Sequence, residues 1–171
     1  MATALKLRFY GDPVLRKVAK PVQSVGPAER FLIQEMIRAM YDFDGSGLAA
    51  TQIGVDQQIF VADAGDGPFA VINPVILKKS SKETEMEEGC LSLPKIRVKI
   101  SRPAEVRVSY FDEHGRKIEK TLADLMARIF QHESDHLCGR MIVDYASKAD
   151  LVPYKAQLTK LEALSRKPAK A

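Results

Sequence analysis

The spacing of apolar residues changes along the chain, and each change predicts an element. From Pro27 to Phe43, Leu32, Met36, Ala39, Met40 and Phe43 follow helical spacing. Pro27 suits a first turn and Asp44-Gly45 closes the run, so an amphipathic helix is expected there. Before it, Gly11-Asp12-Pro13-Val14-Leu15-Arg16 reads as a turn within an anchored N-terminal arm. After it, Ile59 to Asp63 and Phe69 to Leu77 are β-rich apolar runs separated by Gly65-Asp66-Gly67-Pro68. Asn73-Pro74 is expected to interrupt the second run or place it at a sheet edge. Between Ile96 and Ile118, alternation such as Val106, Val108 and Tyr110 predicts further antiparallel strands, turning at Asp112-Glu113-His114-Gly115. Helical spacing then returns at Leu122, Leu125, Ile129, His132 and His136, where Thr121 with Asp124 resembles a capping box and Gly139 a stop. A last helix is expected from Leu151, Tyr154, Leu158, Leu161 and Leu164, with Pro153 in its first turn and Lys155, Lys160 and Arg166 on or near other faces. The elements make an α+β fold: antiparallel sheets packed around a central helix, with an N-terminal helix and a C-terminal helix.

Composition narrows the class. A length of 171 residues with 46% hydrophobic residues suits one catalytic-size domain over 1–171 with a substantial core. Lys and Arg number 26 against 22 Asp and Glu, and residues 148–171 hold six against two, so the body is balanced and the C-terminal helix and tail are basic. A net charge of +4 does not by itself argue for specific DNA binding. No run approaches the roughly 18–20 apolar residues that span a bilayer, and Met1 to Tyr10 has no signal h-region, so a cytoplasmic protein without a membrane partner is expected. Two cysteines, Cys90 and Cys138, do not make a disulfide framework.

Chemistry enters at His132-Glu133-Ser134-Asp135-His136. Two histidines four residues apart project from one helical face and can share a divalent cation, with a glutamate beside the first to serve a bound water. Catalytic tetrahedral sites normally have a third protein ligand. A zinc endoprotease of the His-Glu-x-x-His type is one reading, but its longer extension needs a third histidine at position 142, where the chain has Ile142. A binding protein with a structural metal is another. Cys90 is the better third ligand, because a thiolate suits late first-row ions and Gly89 frees the backbone beside it. His114 belongs to a hairpin tip. The segment Gly45 to Gly54 is small-sided and completes neither phosphate-loop pattern, so it suits close backbone approach to a ligand, with Gln52 the polar side chain able to aim an amide.

Three ordered stretches together, Gly45-Ser46-Gly47-Leu48-Ala49-Ala50-Thr51-Gln52, Glu88-Gly89-Cys90-Leu91-Ser92 and Gln131-His132-Glu133-Ser134-Asp135-His136, closely resemble the peptide deformylases. Asp12-Pro13-Val14-Leu15-Arg16 and Arg102-Pro103 match as weaker marks. The resemblance implies a hydrolase that removes the formyl group from the N-terminal formyl-methionine of nascent polypeptides. It implies a metal on Cys90, His132 and His136, with Fe(II) the usual ion and zinc, nickel or cobalt able to replace it. A metal-bound water would attack the formyl carbon, with Glu133 as general base and then acid, while Gln52 and the Leu91 backbone N–H stabilise the oxyanion. Met86, Leu125, Ile129 and the His132 ring would receive the methionine side chain. The strand around Glu88 and Gly89 and the segment Gly45, Gly47 and Leu48 would receive its backbone. The resemblance implies that the basic C-terminal helix helps dock at ribosomes; capping the sheet is the other role open to it. Thr51 departs from the family, which usually has proline before the glutamine, and the departure removes no chemical group.

Overall fold

The computed structural model describes residues 5–165. Helix α1 (Pro27–Asp42) starts where Pro27 needs no N–H partner and the Glu29 carboxylate accepts the Gly26 N–H at 2.8 Å. Its buried stripe is Ile33, Met36, Ala39 and Met40, while Leu32 and Phe43 are only partly covered. Strands β1 (Gly47–Ala49), β2 (Ile59–Ala62) and β3 (Phe69–Lys79) follow. A hairpin of β4 (Glu83–Cys90) and β5 (Leu93–Pro103) is a separate two-stranded sheet. Strands β6 (Glu105–Phe111) and β7 (Lys117–Ala123) return to the first sheet, whose order is β1-β2-β3-β6-β7. Every named strand pair is antiparallel.

Both faces of the five-stranded sheet are covered at β2, which explains why that strand is a continuous apolar run, whereas β6 and β7 leave one face exposed. Ile59 and Val61 face α1 in a core with Met36, Met40, Leu48 and Ile72. Phe60 and Ala62 face the opposite way, into a core with Val71, Val108 and Phe130. Phe60 and Phe130 meet edge to face at 5.1 Å. Phe130 belongs to α2 (Asp124–Leu137), which therefore runs through the interior. A third core joins the inward residues of β5, Leu93, Ile96, Val98 and Ile100, to Leu15, Met141, Ile142, Val143 and Leu161.

Three local expectations are corrected. Asn73-Pro74 lies within β3, the middle strand, so it does not mark an edge. It sits at a register shift between Ile72 and Val75, with Asn73 at φ 51, and its amide exchanges two 2.8 Å hydrogen bonds with the Val22 backbone. A bulge of this kind accommodates a residue without an N–H. Thr121 does not cap α2, because it belongs to β7 and pairs with Arg107, and Ala123 occupies the N-cap. The last helix is divided into α3 (Lys148–Leu151) and α4 (Lys155–Ser165) by a 3-10 turn at Val152–Tyr154. Pro153 lies in that turn, where its missing N–H stops the α-helical ladder. Gly139 does end α2, at φ 72. Arg166 and the rest of the basic tail lie outside the described residues.

Candidate metal centre

Helix α2 places the Nε2 atoms of His132 and His136 3.3 Å apart, one helical turn separating their Cα atoms. The β4–β5 hairpin supplies the third donor. A register shift between Gly89 and Cys90 precedes the turn at Leu91-Ser92 and sets Cys90 Sγ 3.3 Å from His136 Nε2. The three donor atoms lie within 4.8 Å of one another. Nitrogen and thiolate donors of a tetrahedral ion, bound at about 2.0–2.3 Å, stand roughly 3.3–3.7 Å apart, so the set fits a divalent metal. Cys90, His132 and His136 form a metal-binding site; the spacing of the two histidines predicted their closeness, whereas nothing but residue type pointed to Cys90.

The far side of His132 is as ordered as its near side, whereas His136 Nδ1 is buried without a hydrogen-bond partner among the described residues. His132 Nδ1 donates to Glu88 Oε2 at 2.9 Å, which leaves Nε2 for the ion. Arg102 grips Glu88 with two bonds, Nε to Oε1 at 2.6 Å and Nη2 to Oε2 at 3.0 Å, and Arg128 Nη1 donates to Oε1 at 2.9 Å. Arg102 Nη1 also donates to Asp135 Oδ2 at 2.7 Å. Burial alone would raise the Glu88 carboxyl, but His132 and Arg102 hold it down to about 2. Arg102 is raised by Glu88 and Asp135 against the pull of burial. Burial, His132 and Arg102 push the His136 ring well below the ordinary imidazole range, favouring the neutral form that binds a metal. At His132 burial is overcome by Cys90 and Glu88, and the ring is raised.

Gln52 is fixed as an oriented donor. The Ala49 N–H donates to Oε1 at 2.9 Å, so the amide nitrogen must point the other way, to Ser92 Oγ at 3.1 Å and Cys90 Sγ at 3.5 Å. Thr51 is fully buried and its hydroxyl donates to the His136 carbonyl at 3.4 Å. Glu133 is 4% exposed and its Oε2 has no protein partner. Burial pushes its carboxyl up to about 7, with His132 opposing. A Cβ at Gly47 would come within 2.8 Å of the Glu133 carboxyl carbon, so the glycine makes room for it.

A cleft of about 710 Å³ opens beside these groups. Gly45, Gly47, Met86, Gly89, Leu125 and Ile129 line it, with His132 and Glu133 at its inner end. Glu88 borders the cleft, yet its carboxylate is engaged by His132 and two arginines, so that side chain is not free for a ligand. Leu48 is fully buried in the α1 core and is not part of the cleft wall. Leu91 stands in the hairpin turn, its side chain against Gly45. His114 and the exposed Cys138 are not gathered to the centre. Sequence reasoning missed Arg102, Arg128, Asp135 and Ser92 as site-building residues. Arg102 was detectable: it occupies the next inward position after Ile96, Val98 and Ile100, where a buried cation demands a carboxylate.

Among the described residues no helix is long and apolar enough to cross a membrane. The family model described as polypeptide deformylase matches residues 4–151. The peptide deformylase of Thermotoga neapolitana is 50% identical over 139 residues, covering 81% of this chain and 85% of the relative. That of Pseudothermotoga lettingae is 42% identical over 162 residues, covering 95% and 94%. Among solved structures, the Thermotoga maritima enzyme superposes with a TM-score of 0.83 at 47% identity, covering 85% of this chain and 99% of the other. The Synechococcus elongatus enzyme, solved in complex with actinonin, gives 0.88 at 35% identity over 99% and 95%. With an ordered cysteine–bis-histidine centre and a family match across most of its length, this chain belongs to the polypeptide deformylase family.

Proposed function

We propose that the chain hydrolyses the formyl group of N-terminal formyl-methionine on nascent peptides, releasing formate and a free amine. The observation that carries this reading is the unpartnered, buried Oε2 of Glu133, set beside a thiolate–bis-histidine centre and facing the same cleft as the oriented Gln52 amide. Cys90, His132 and His136 would hold a divalent ion, which when bound would supply Lewis acidity to a water and a carbonyl oxygen. Glu133 accepts a proton from the attacking water as its oxygen adds to the formyl carbon. The Gln52 NH₂ group and the Leu91 backbone N–H donate to the oxygen that gains charge. The C–N bond then breaks, and Glu133 returns the proton to the leaving nitrogen. Because the third ligand is Cys90 rather than a histidine, the zinc endoprotease reading is set aside.

Specificity follows from the cleft. The methionine side chain lies against Met86, Leu125, Ile129 and the ring of His132, and the peptide backbone runs along β4 at Glu88 and Gly89, opposite Gly45 to Leu48, as a strand added to an edge. The test is formate release from formyl-Met-Ala-Ser. Glu133→Ala should abolish it while bound metal is retained, and an inactive, metal-loaded wild type would overturn the reading.

Fe(II) is the proposed resident ion, with zinc, nickel or cobalt as substitutes. Metal analysis of anaerobically purified protein should find iron, and activity should fall on exposure to air, whereas zinc- or nickel-loaded protein should be insensitive. The whole chain, 1–171, is proposed to act as one catalytic domain, with the basic segment 148–171 docking at ribosomes. Lys148, Lys155 and Lys160 are exposed, so replacing them with glutamate should weaken salt-sensitive co-sedimentation with ribosomes and leave turnover of the tripeptide intact.

A further inference from the structure

Tyr145 lies outside the cleft, just after a 3-10 turn at Ile142–Asp144, and touches none of the three metal ligands by any hydrogen bond. Its placement is nevertheless tightly specified. Its backbone N–H donates to the Ile142 carbonyl, and the neighbouring Asp144 accepts from the Met141 N–H and from Arg16. Its hydroxyl donates to Asp135 Oδ2 at 2.7 Å, the same oxygen that receives Arg102 Nη1 at 2.7 Å. The Arg102 guanidinium also lies over the Tyr145 ring, 4.8 Å from its centroid. One aromatic side chain thus contacts the buried arginine twice, by its face and through a shared carboxylate.

From Arg102 the chain of contacts continues inward without a gap. Two parallel bonds lock Arg102 to Glu88, and Glu88 Oε2 takes the Nδ1 proton of His132. A guanidinium is planar and its donors form a rigid fork, so tilting one end tilts the other. Releasing Asp135 would let Arg102 rock, Glu88 would follow, and the His132 ring would lose its fixed azimuth. Groups behind a metal-bound imidazole set both its orientation and its basicity.

We propose that Tyr145 is a positioning residue for the metal centre, acting through Asp135 and Arg102 on Glu88 and so on His132. The inference rests on the metal-site reading given above. Tyr145→Phe is the decisive variant, because it keeps the ring over Arg102 and removes only the hydroxyl.

In zinc-loaded, full-length protein, Tyr145→Phe should speed loss of zinc to a chelator by about fivefold, less than the 10–100-fold typical of a direct outer partner. The ring N–H resonance of His132 should shift with it, a signal that a purely structural contact on the far side of Asp135 would not move. Asp135→Asn should speed zinc loss at least as much, and adding Tyr145→Phe to it should produce no further change. Unchanged zinc retention and an unchanged His132 resonance in Tyr145→Phe would overturn the proposal, as would strictly multiplicative effects in the double variant. A wild-type chain that takes up no zinc would instead overturn the metal-site reading, and this inference with it.

Discussion

A side chain at position 47 and the Glu133 carboxyl would occupy the same space. Gly47→Ala should therefore displace the carboxyl and lower kcat by at least about tenfold, as expected when a catalytic group is misplaced by an ångström. The thermal midpoint should change little, since the added methyl meets a side chain and not the sheet. Gln52→Ala removes a donor that two partners hold in one orientation, and kcat on the formyl tripeptide should fall about a hundredfold. Circular dichroism of the same sample would show that the fold is kept. At this scale the sequence revealed the groups that do chemistry, because cysteine, histidine and glutamate at such spacing have few other uses. It did not reveal that the Leu48 side chain is buried in the α1 core, which leaves only its backbone to meet a ligand. Nor did it show that Glu88 serves His132, because its partners Arg102 and Arg128 come from two different elements.

Elements were legible where period and length agreed. The four apolar residues of β2 required cover on both faces, and α1 and α2 provide it. Boundaries were less legible where two ladders compete, as at Thr121, which β6 claims before α2 can. Phe130 is fully buried on α2 and packs against Phe60 and Tyr110, so Phe130→Ala should cost about 3–5 kcal/mol in denaturant unfolding. The β6–β7 turn carries an acid-sensitive contact. Asp112 accepts the N–H groups of His114 and Arg116 and the Arg116 guanidinium, which lower its carboxyl below the ordinary value although burial opposes them. A depressed folded pKa contributes stability that is present above about pH 4 and lost as pH falls through the lowered value. Thermal midpoints measured from pH 7 down to pH 3 should thus fall less steeply for Asp112→Asn than for the wild type.

At the scale of the whole molecule the least legible feature was how the N-terminal arm meets α4. Helical spacing near the C-terminus predicted a helix but not its partner, because arm and helix lie far apart in sequence. In the structure Leu161 enters the third core, Ser165 Oγ donates to the Phe9 and Tyr10 carbonyls at 3.2 and 3.1 Å, and a Cβ at Gly11 would strike the Glu162 backbone at 2.5 Å. Deleting residues 148–171 should consequently lower the thermal midpoint by several degrees, a loss the lysine-to-glutamate variants should not share. This fastening also fixes an order of events during synthesis. The inward residues of β5 emerge from the ribosome well before Met141 to Leu161, and until those arrive Ile96, Val98 and Ile100 have only Leu15 and the N-terminal arm to cover them on that side. A segment translated well after β5 is therefore the one that closes the sheet carrying Cys90, and a newly made copy gains its full third core only once α4 has emerged.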